Sequence, residues 1–544
     1  MKDSGTRSRR EKPVHGPENA NPQKMGKPDS RSRRFEPSAS GSDRTAGSDD
    51  SPAVRTSSKA FRRVNTGIPG KILLGICAGL GIAAAILLLP REFLPFFIAS
   101  GILSLLAVLL LRRPAGLLHM LVLLSAIVCM GKQFESISVA GTSIGINGLG
   151  WGFAAGIMLV LLGGQFSKVR VPKFTVPFLA LAGWTAVRWV SAAPIRLTGL
   201  KDILFYGLPP LAAIFTLFVL SRGGGILQSV EDAILATSLI PAGLYLFLFP
   251  AGLVTYTSLG PIGILETRGI ALYLLIVLAV ALARWRYGES QGRRRTAAVC
   301  GLLALATILF TLSRMAGFIA VLLLALGLSN PRSIRRLVVG SIAAGLVAAA
   351  AVFFIPVLRE RFFSQESTDL IAVLQSLKTS GRSEFWPATF EHAIANPWIG
   401  WGPGSARILV AEVFRGTYFT EYYPHNEYLQ VFHDMGAIGV GLLLLGYVPL
   451  GFHFWRGWRT SHTQGSRPQA ARNLAAFLCI IAVIVSSITA NTLHYAFVTV
   501  PAFILSAFAV YQNRLENKSD GERAIPSESK IPANPPSVMR IQRS

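Results

Sequence analysis

The sequence predicts an all-α, polytopic integral membrane protein with about 12–14 transmembrane helices and one large extracytoplasmic loop. Three observations carry this. Hydrophobic residues make up 51% of the chain, charged residues only 15%, and the mean hydropathy is +0.47. Apolar runs of about 17–25 residues recur, the length a helix needs to cross a hydrocarbon core of roughly 30 Å. Lysine and arginine collect in the two tails and in alternate short loops, as membrane topology requires.

Taken in order, residues 1–69 are rich in Ser, Arg, Lys, Pro and Gly and read as a disordered basic cytoplasmic tail. They lack the short apolar core of a signal peptide. The spans fall near 71–90, 93–111, 115–131, 147–164, 174–191, 203–221, 232–250, 268–284, 297–313, 315–329, 337–357, 434–455, 474–490 and 497–512. Hence 70–357 is an N-terminal transmembrane region, 358–433 an extracytoplasmic loop, 434–512 a C-terminal transmembrane region and 513–544 a disordered cytoplasmic tail. With the N-terminus inside, the inner loops hold Arg112 and Arg113, then Lys168, Arg170 and Lys173, then Arg284, Arg286 and Arg293–Arg295.

The net charge of +25 does not indicate nucleic-acid binding, because no basic domain interleaved with aromatics accompanies it. The basic tail is read as holding the N-terminus in the cytoplasm, with contact to anionic lipid heads as the weaker alternative. Cys77, Cys129, Cys300 and Cys479 all lie inside apolar runs without metal-ligand spacing and read as small packing residues.

The exceptions to the charge pattern are informative. Arg188, Arg196, Lys201, Arg268, Arg314 and Arg382 fall at the outer ends of spans or in outer segments. Arg314 is squeezed between two apolar runs, where an arginine is costly without a partner. Its guanidinium fork suits a phosphate. The plainer reading of each is an arginine reaching back to the interface.

The loop holds three pieces with chemical content. Gly381-Arg382 precedes Trp386; Asn396-Pro397 leads into Gly400, Gly402 and Gly404; and His425-Asn426-Glu427-Tyr428-Leu429 precedes the re-entry into the membrane. The glycines permit close backbone approach, to a ligand or simply in a turn. His425 is the candidate catalytic residue, since neutral imidazole is available near pH 7 and accepts a proton from a hydroxyl. His392, His433 and His494 are read as structural or solvent-exposed.

Together, Ser313-Arg314, Gly-Arg-x-x-x-Trp at 381–386, Asn-Pro-x-x-Gly-x-Gly at 396–402 and His-Asn-x-x-Leu at 425–429 resemble the O-antigen ligase/polymerase superfamily. That resemblance implies a metal-independent glycosyltransferase without cofactors. It would move a glycan from an undecaprenyl-diphosphate-linked donor to a lipid A–core, another glycan or a protein, on the outer face of the bacterial inner membrane. Arg314 and Arg382 would bind the diphosphate, His425 would be the base, and Arg268 and Arg196 are further candidate anion contacts. The lack of an Asp-x-Asp-type cluster in the loop fits a metal-free mechanism. The alternative is a transporter or flippase of lipid-linked glycans, which buried arginines would serve equally. No two-fold internal repeat supports it.

Overall fold

A computed structural model describes residues 113–130, 137–139, 142–144, 146–164, 171–194, 196–223, 226–248, 267–331, 333–356, 359, 363, 382–413 and 423–524. All fall within the unit Ile82–Ser544. The expected basic tail and the spans at 71–90 and 93–111 lie outside these residues.

The fold is an antiparallel helical assembly. In chain order come α1 (Pro114–Val128), a small antiparallel hairpin of β1 (Ile137–Val139) and β2 (Thr142–Ile144), α2 (Ile146–Gly163), α3 (Val176–Ala192) and α4 (Arg196–Leu220). Next are α5 (Ile226–Thr237), α6 (Leu239–Leu248), α7 (Thr267–Tyr287), α8 (Gln291–Phe310), α9 (Arg314–Leu328) and α10 (Ile334–Phe354). The last are α11 (Arg382–Ile394), α12 (Ser405–Val413), α13 (Glu427–Gln464), α14 (Arg467–Ser486) and α15 (Ala496–Ala524). Among the described residues, six helical stretches are long and apolar enough to cross a membrane: Thr198–Leu220, Ile226–Leu248, Thr267–Tyr287, Glu427–Gln464, Arg467–Ser486 and Ala496–Leu515. The span expected at 232–250 is built from two short helices, α5 and α6. At the C-terminus α15 continues to Ala524, past the expected start of the tail, because Gln, Arg, Leu, Glu and Lys sustain a helix well.

α7 is the hub. Its residues 269–284 are buried almost without interruption, and α8, α9 and α14 pack around it. An α-helix apolar on every side belongs inside a bundle rather than at its surface. By contrast, Val299, Leu302 and Leu309 of α8 and Val338, Val339 and Ile342 of α10 are exposed, as suits contact with lipid.

Hydrogen bonds fix the direction of the helices. At the C-terminal end of α7, Arg286 reaches the carbonyls of Gly327 and Ser329, and Tyr287 bonds His462 at 3.1 Å. This end therefore collects the ends of α7, α9 and α13. The opposite end holds the starts of α4, α7, α9, α11 and α13, and every cation singled out from the sequence.

α13 carries the main irregularity. It begins at Glu427, seven residues before the expected span, and its helical geometry breaks at Gly436 (φ 68°). The break exposes backbone groups that the 397–402 segment satisfies. Trp401 N–H donates to the His433 carbonyl and Gly402 N–H to that of Asp434, at 2.9 and 2.8 Å. In return Ala437 and Ile438 donate to the carbonyls of Pro397 and Trp398, at 2.7 and 3.3 Å. A Cβ at Gly436 would lie 2.2 Å from the Trp398 carbonyl, and one at Gly400 2.5 Å from the Asp434 backbone. Glycine at both positions lets two backbones touch.

Candidate active site

His425 stands immediately ahead of α13. The Asn426 side chain caps the helix by accepting from Leu429 N–H at 3.0 Å, which fixes where the helix starts. This leaves His425 in the left-handed region at φ 48°; among the described residues Leu312, two before Arg314, is the other non-glycine residue there. Such a conformation is costly for an L-residue and persists only where its surroundings hold it. Trp386 supplies one restraint, its indole N–H donating to the Pro424 carbonyl at 2.7 Å. That bond ties the residue before His425 to α11, the helix that Arg382 opens.

Two arginines from distant parts of the chain meet there. Arg268, near the start of α7, has one terminal nitrogen 3.3 Å from His425 Nδ1 and donates with the other to the Thr489 carbonyl. Arg382 donates to the same carbonyl at 3.3 Å. A guanidinium only donates, so Nδ1 of His425 is the acceptor in the first contact. The connection between α14 and α15 therefore lies under both cations.

That connection is held by a buried polar cluster. Glu427 N–H donates to the Ser487 and Ala490 carbonyls at 2.8 and 3.2 Å, and its carboxylate accepts from Leu493 N–H at 3.0 Å and Tyr206 OH at 3.3 Å. His494 bonds Asp202 at 2.8 Å and lies 3.7 Å from Glu427. Burial disfavours the imidazolium, but the hydrogen bonds and charges of Asp202 and Glu427 outweigh it and push the His494 pKa up to about 10. His494 is thus a buried cation between two carboxylates at neutral pH.

A second polar cluster anchors the glycine-rich segment. The Asp434 carboxylate accepts from Gly404 N–H at 3.0 Å, Ala406 N–H at 2.7 Å and Ser405 OH at 2.8 Å, capping α12. His433 Nδ1 lies 2.9 Å from the same carboxylate, and its other ring nitrogen meets His392 at 2.9 Å. Arg188 and Asn396 both donate to the Gly400 carbonyl, at 2.9 and 2.7 Å.

The structure therefore brings Arg268, Arg382 and His425 together. Arg314 is half-buried at the first turn of α9, at the same end of the bundle, and α9 packs on both α7 and α14. Arg196 opens α4. Arg188 braces the Gly400 turn instead of joining the group, and Lys201 lies over the Phe205 ring at 5.8 Å. Sequence reasoning missed Asp202, Glu427 and the Thr489 carbonyl. An acidic residue at the mouth of the span 203–221 marked Asp202, and Glu427 sits within the motif of His425. Nothing in the sequence marks a backbone carbonyl.

Residues 298–444 match the family model described as O-antigen ligase, a stretch that contains Arg314, Arg382 and His425 but neither Arg268 nor Thr489. No curated protein matches the chain. In an all-α polytopic membrane protein, this match supports the resemblance to the O-antigen ligase/polymerase superfamily and, in general terms, O-antigen ligase/polymerase-like glycosyltransferase activity.

Proposed function

We propose that the chain transfers a glycan from an undecaprenyl-diphosphate donor to an acceptor hydroxyl at the outer face of the bacterial inner membrane, without a metal ion. The observation that carries this reading is the meeting of Arg268 and Arg382 with His425 at one end of the bundle. Arg382 and Arg314 bind the diphosphate, with Arg268 and Arg196 as further contacts. Guanidinium groups meet the charge that develops on the departing diphosphate, so the leaving group needs no further activation. His425 removes the acceptor proton, and the helix ends hold donor and acceptor in reacting geometry. Lipid A–core, another lipid-linked glycan and a protein hydroxyl all satisfy this chemistry.

The test compares wild type with His425→Ala, purified in lipid nanodiscs with undecaprenyl-diphosphate glycan and candidate acceptors. Transfer is expected to fall about 10²–10⁴-fold while donor binding persists, and wild-type transfer is expected to survive EDTA. Wild-type rates in His425→Ala would remove the base assignment. Movement of intact donor across liposome membranes by both proteins, with no transfer, would establish the transporter instead.

A further inference from the structure

We propose that Arg268 couples donor binding to base activation: it occupies the lone pair of His425 until a diphosphate draws it away. The inference rests on the assignment of His425 as base and of the diphosphate as the anion. Its ground is the bond from Arg268 to His425 Nδ1 at 3.3 Å. Because Nδ1 accepts there, the neutral ring carries its proton on Nε2. One ring nitrogen is then protonated and the other is engaged, so the imidazole has no lone pair to offer an acceptor hydroxyl. His425 in this arrangement is a masked base.

The remaining contacts show why the mask can be lifted. Arg268 gives its second terminal nitrogen to the Thr489 carbonyl, which Arg382 shares. A carbonyl and a neutral imidazole are neutral acceptors, whereas phosphate oxygens carry negative charge and can take two parallel bonds from one guanidinium. Diphosphate therefore competes well for both guanidinium groups. The Thr489 carbonyl stays in place, because Glu427 holds its loop through Ser487, Ala490 and Leu493. Once Arg268 has moved to the diphosphate, Nδ1 accepts the proton of the acceptor hydroxyl. The acceptor oxygen forms the new bond to the anomeric carbon as the bond from that carbon to the diphosphate oxygen breaks, and its electron pair leaves on the diphosphate. The donor must then bind before the acceptor can be activated.

The prediction is a difference between two pH profiles, measured at saturating acceptor. Arg268 beside the imidazole disfavours imidazolium, so the acid limb of kcat/KM for donor, which reports free enzyme, lies about one unit below that of kcat. Among the described residues, the other charged groups around His425 include Arg382 on α11 and Glu427 on α13, with His494 and Asp202 behind them. All are unchanged in the test variants. In Arg268→Gln the acid limb of kcat/KM moves up and the separation narrows, while Arg268→Lys, which keeps the cation, preserves most of it. The donor's own ionisation enters every variant equally. Disappearance of the limb from the residual rate of His425→Ala identifies it as His425, and its persistence there would instead undo the base assignment itself. Coincident limbs in wild type, or an Arg268→Gln variant with a raised donor KM and an unmoved acid limb, would overturn the masking while leaving the glycosyltransferase reading intact.

Discussion

The two ends of the bundle treat their arginines in opposite ways. At one, Arg284 is enclosed by acids: it meets Glu231 at 3.2 Å and Asp232 besides, and Arg472 reaches Glu231 at 3.4 Å. At the other, Arg268 forms no ion pair among the described residues and gives its hydrogen bonds to a carbonyl and an imidazole. The first network is electrically closed and serves to join α5, α7 and α14. The second leaves positive charge for an anion to neutralise. An arginine at a bundle end is therefore uninformative by itself, and the partner decides whether it binds helices together or binds a ligand.

Breaking the closed end should have the largest effect on stability. Arg284→Ala leaves Glu231 buried beside a single remaining cation, and removing one partner of a buried pair costs about 3–5 kcal/mol. Thermal unfolding in detergent should show that loss, while the donor affinity of the folded fraction stays near wild type. A large drop in donor use at unchanged stability would abolish the contrast between the ends.

Raising the pH should weaken the support beneath the open end. The His494 pKa is about 10 in the folded protein and near 6.5 for an ordinary histidine. Its contribution to stability is thus fully present below about pH 6.5 and lost as pH rises through about 10. In His494→Gln the decline in unfolding temperature across that range should flatten.

At the open end itself, Arg382→Ala and Arg314→Ala should each reduce donor use about ten- to a hundred-fold, equivalent to roughly 1.5–3 kcal/mol for one lost charge-assisted contact. Unfolding temperatures should change little, and lysine should rescue only partly because it lacks the fork. Unchanged donor affinity and turnover in both alanine variants would favour arginines that merely reach the interface.

The smallest effect belongs to an exposed pair near the closed end. Arg293 and Glu289 lie 3.2 Å apart with about half of each side chain exposed. Arg293→Ala should cost no more than about 0.5 kcal/mol. A larger loss would mean that burial is not what separates these networks.

Much of the fold was legible, because hydropathy acts locally along the chain. The apolar runs near 268–284, 297–313 and 315–329 correspond to α7, α8 and α9. The start of α13 was harder to read. Glu427, Gln430, His433 and Asp434 give residues 427–434 a polar sequence, yet all four are buried. Apart from the His433–Asp434 contact, their side-chain partners come from segments far away in the chain, which no local average includes.

The sequence by itself determined that this is an all-α membrane protein and that residues 311–440 resemble the O-antigen ligase/polymerase superfamily. It also determined which residues are out of place in apolar surroundings, Arg268, Arg314 and Arg382 among them, and that His425 precedes a span. Tertiary structure alone decided that Arg268 and Arg382 share the Thr489 carbonyl, that Arg188 braces a turn, and that His494 is a buried cation between Asp202 and Glu427. The physical reason is that hydrophobicity belongs to a residue, whereas the role of a charge belongs to a pair. Arg268 and Thr489 are 221 positions apart, and only the packing of α7 against α14 brings them together.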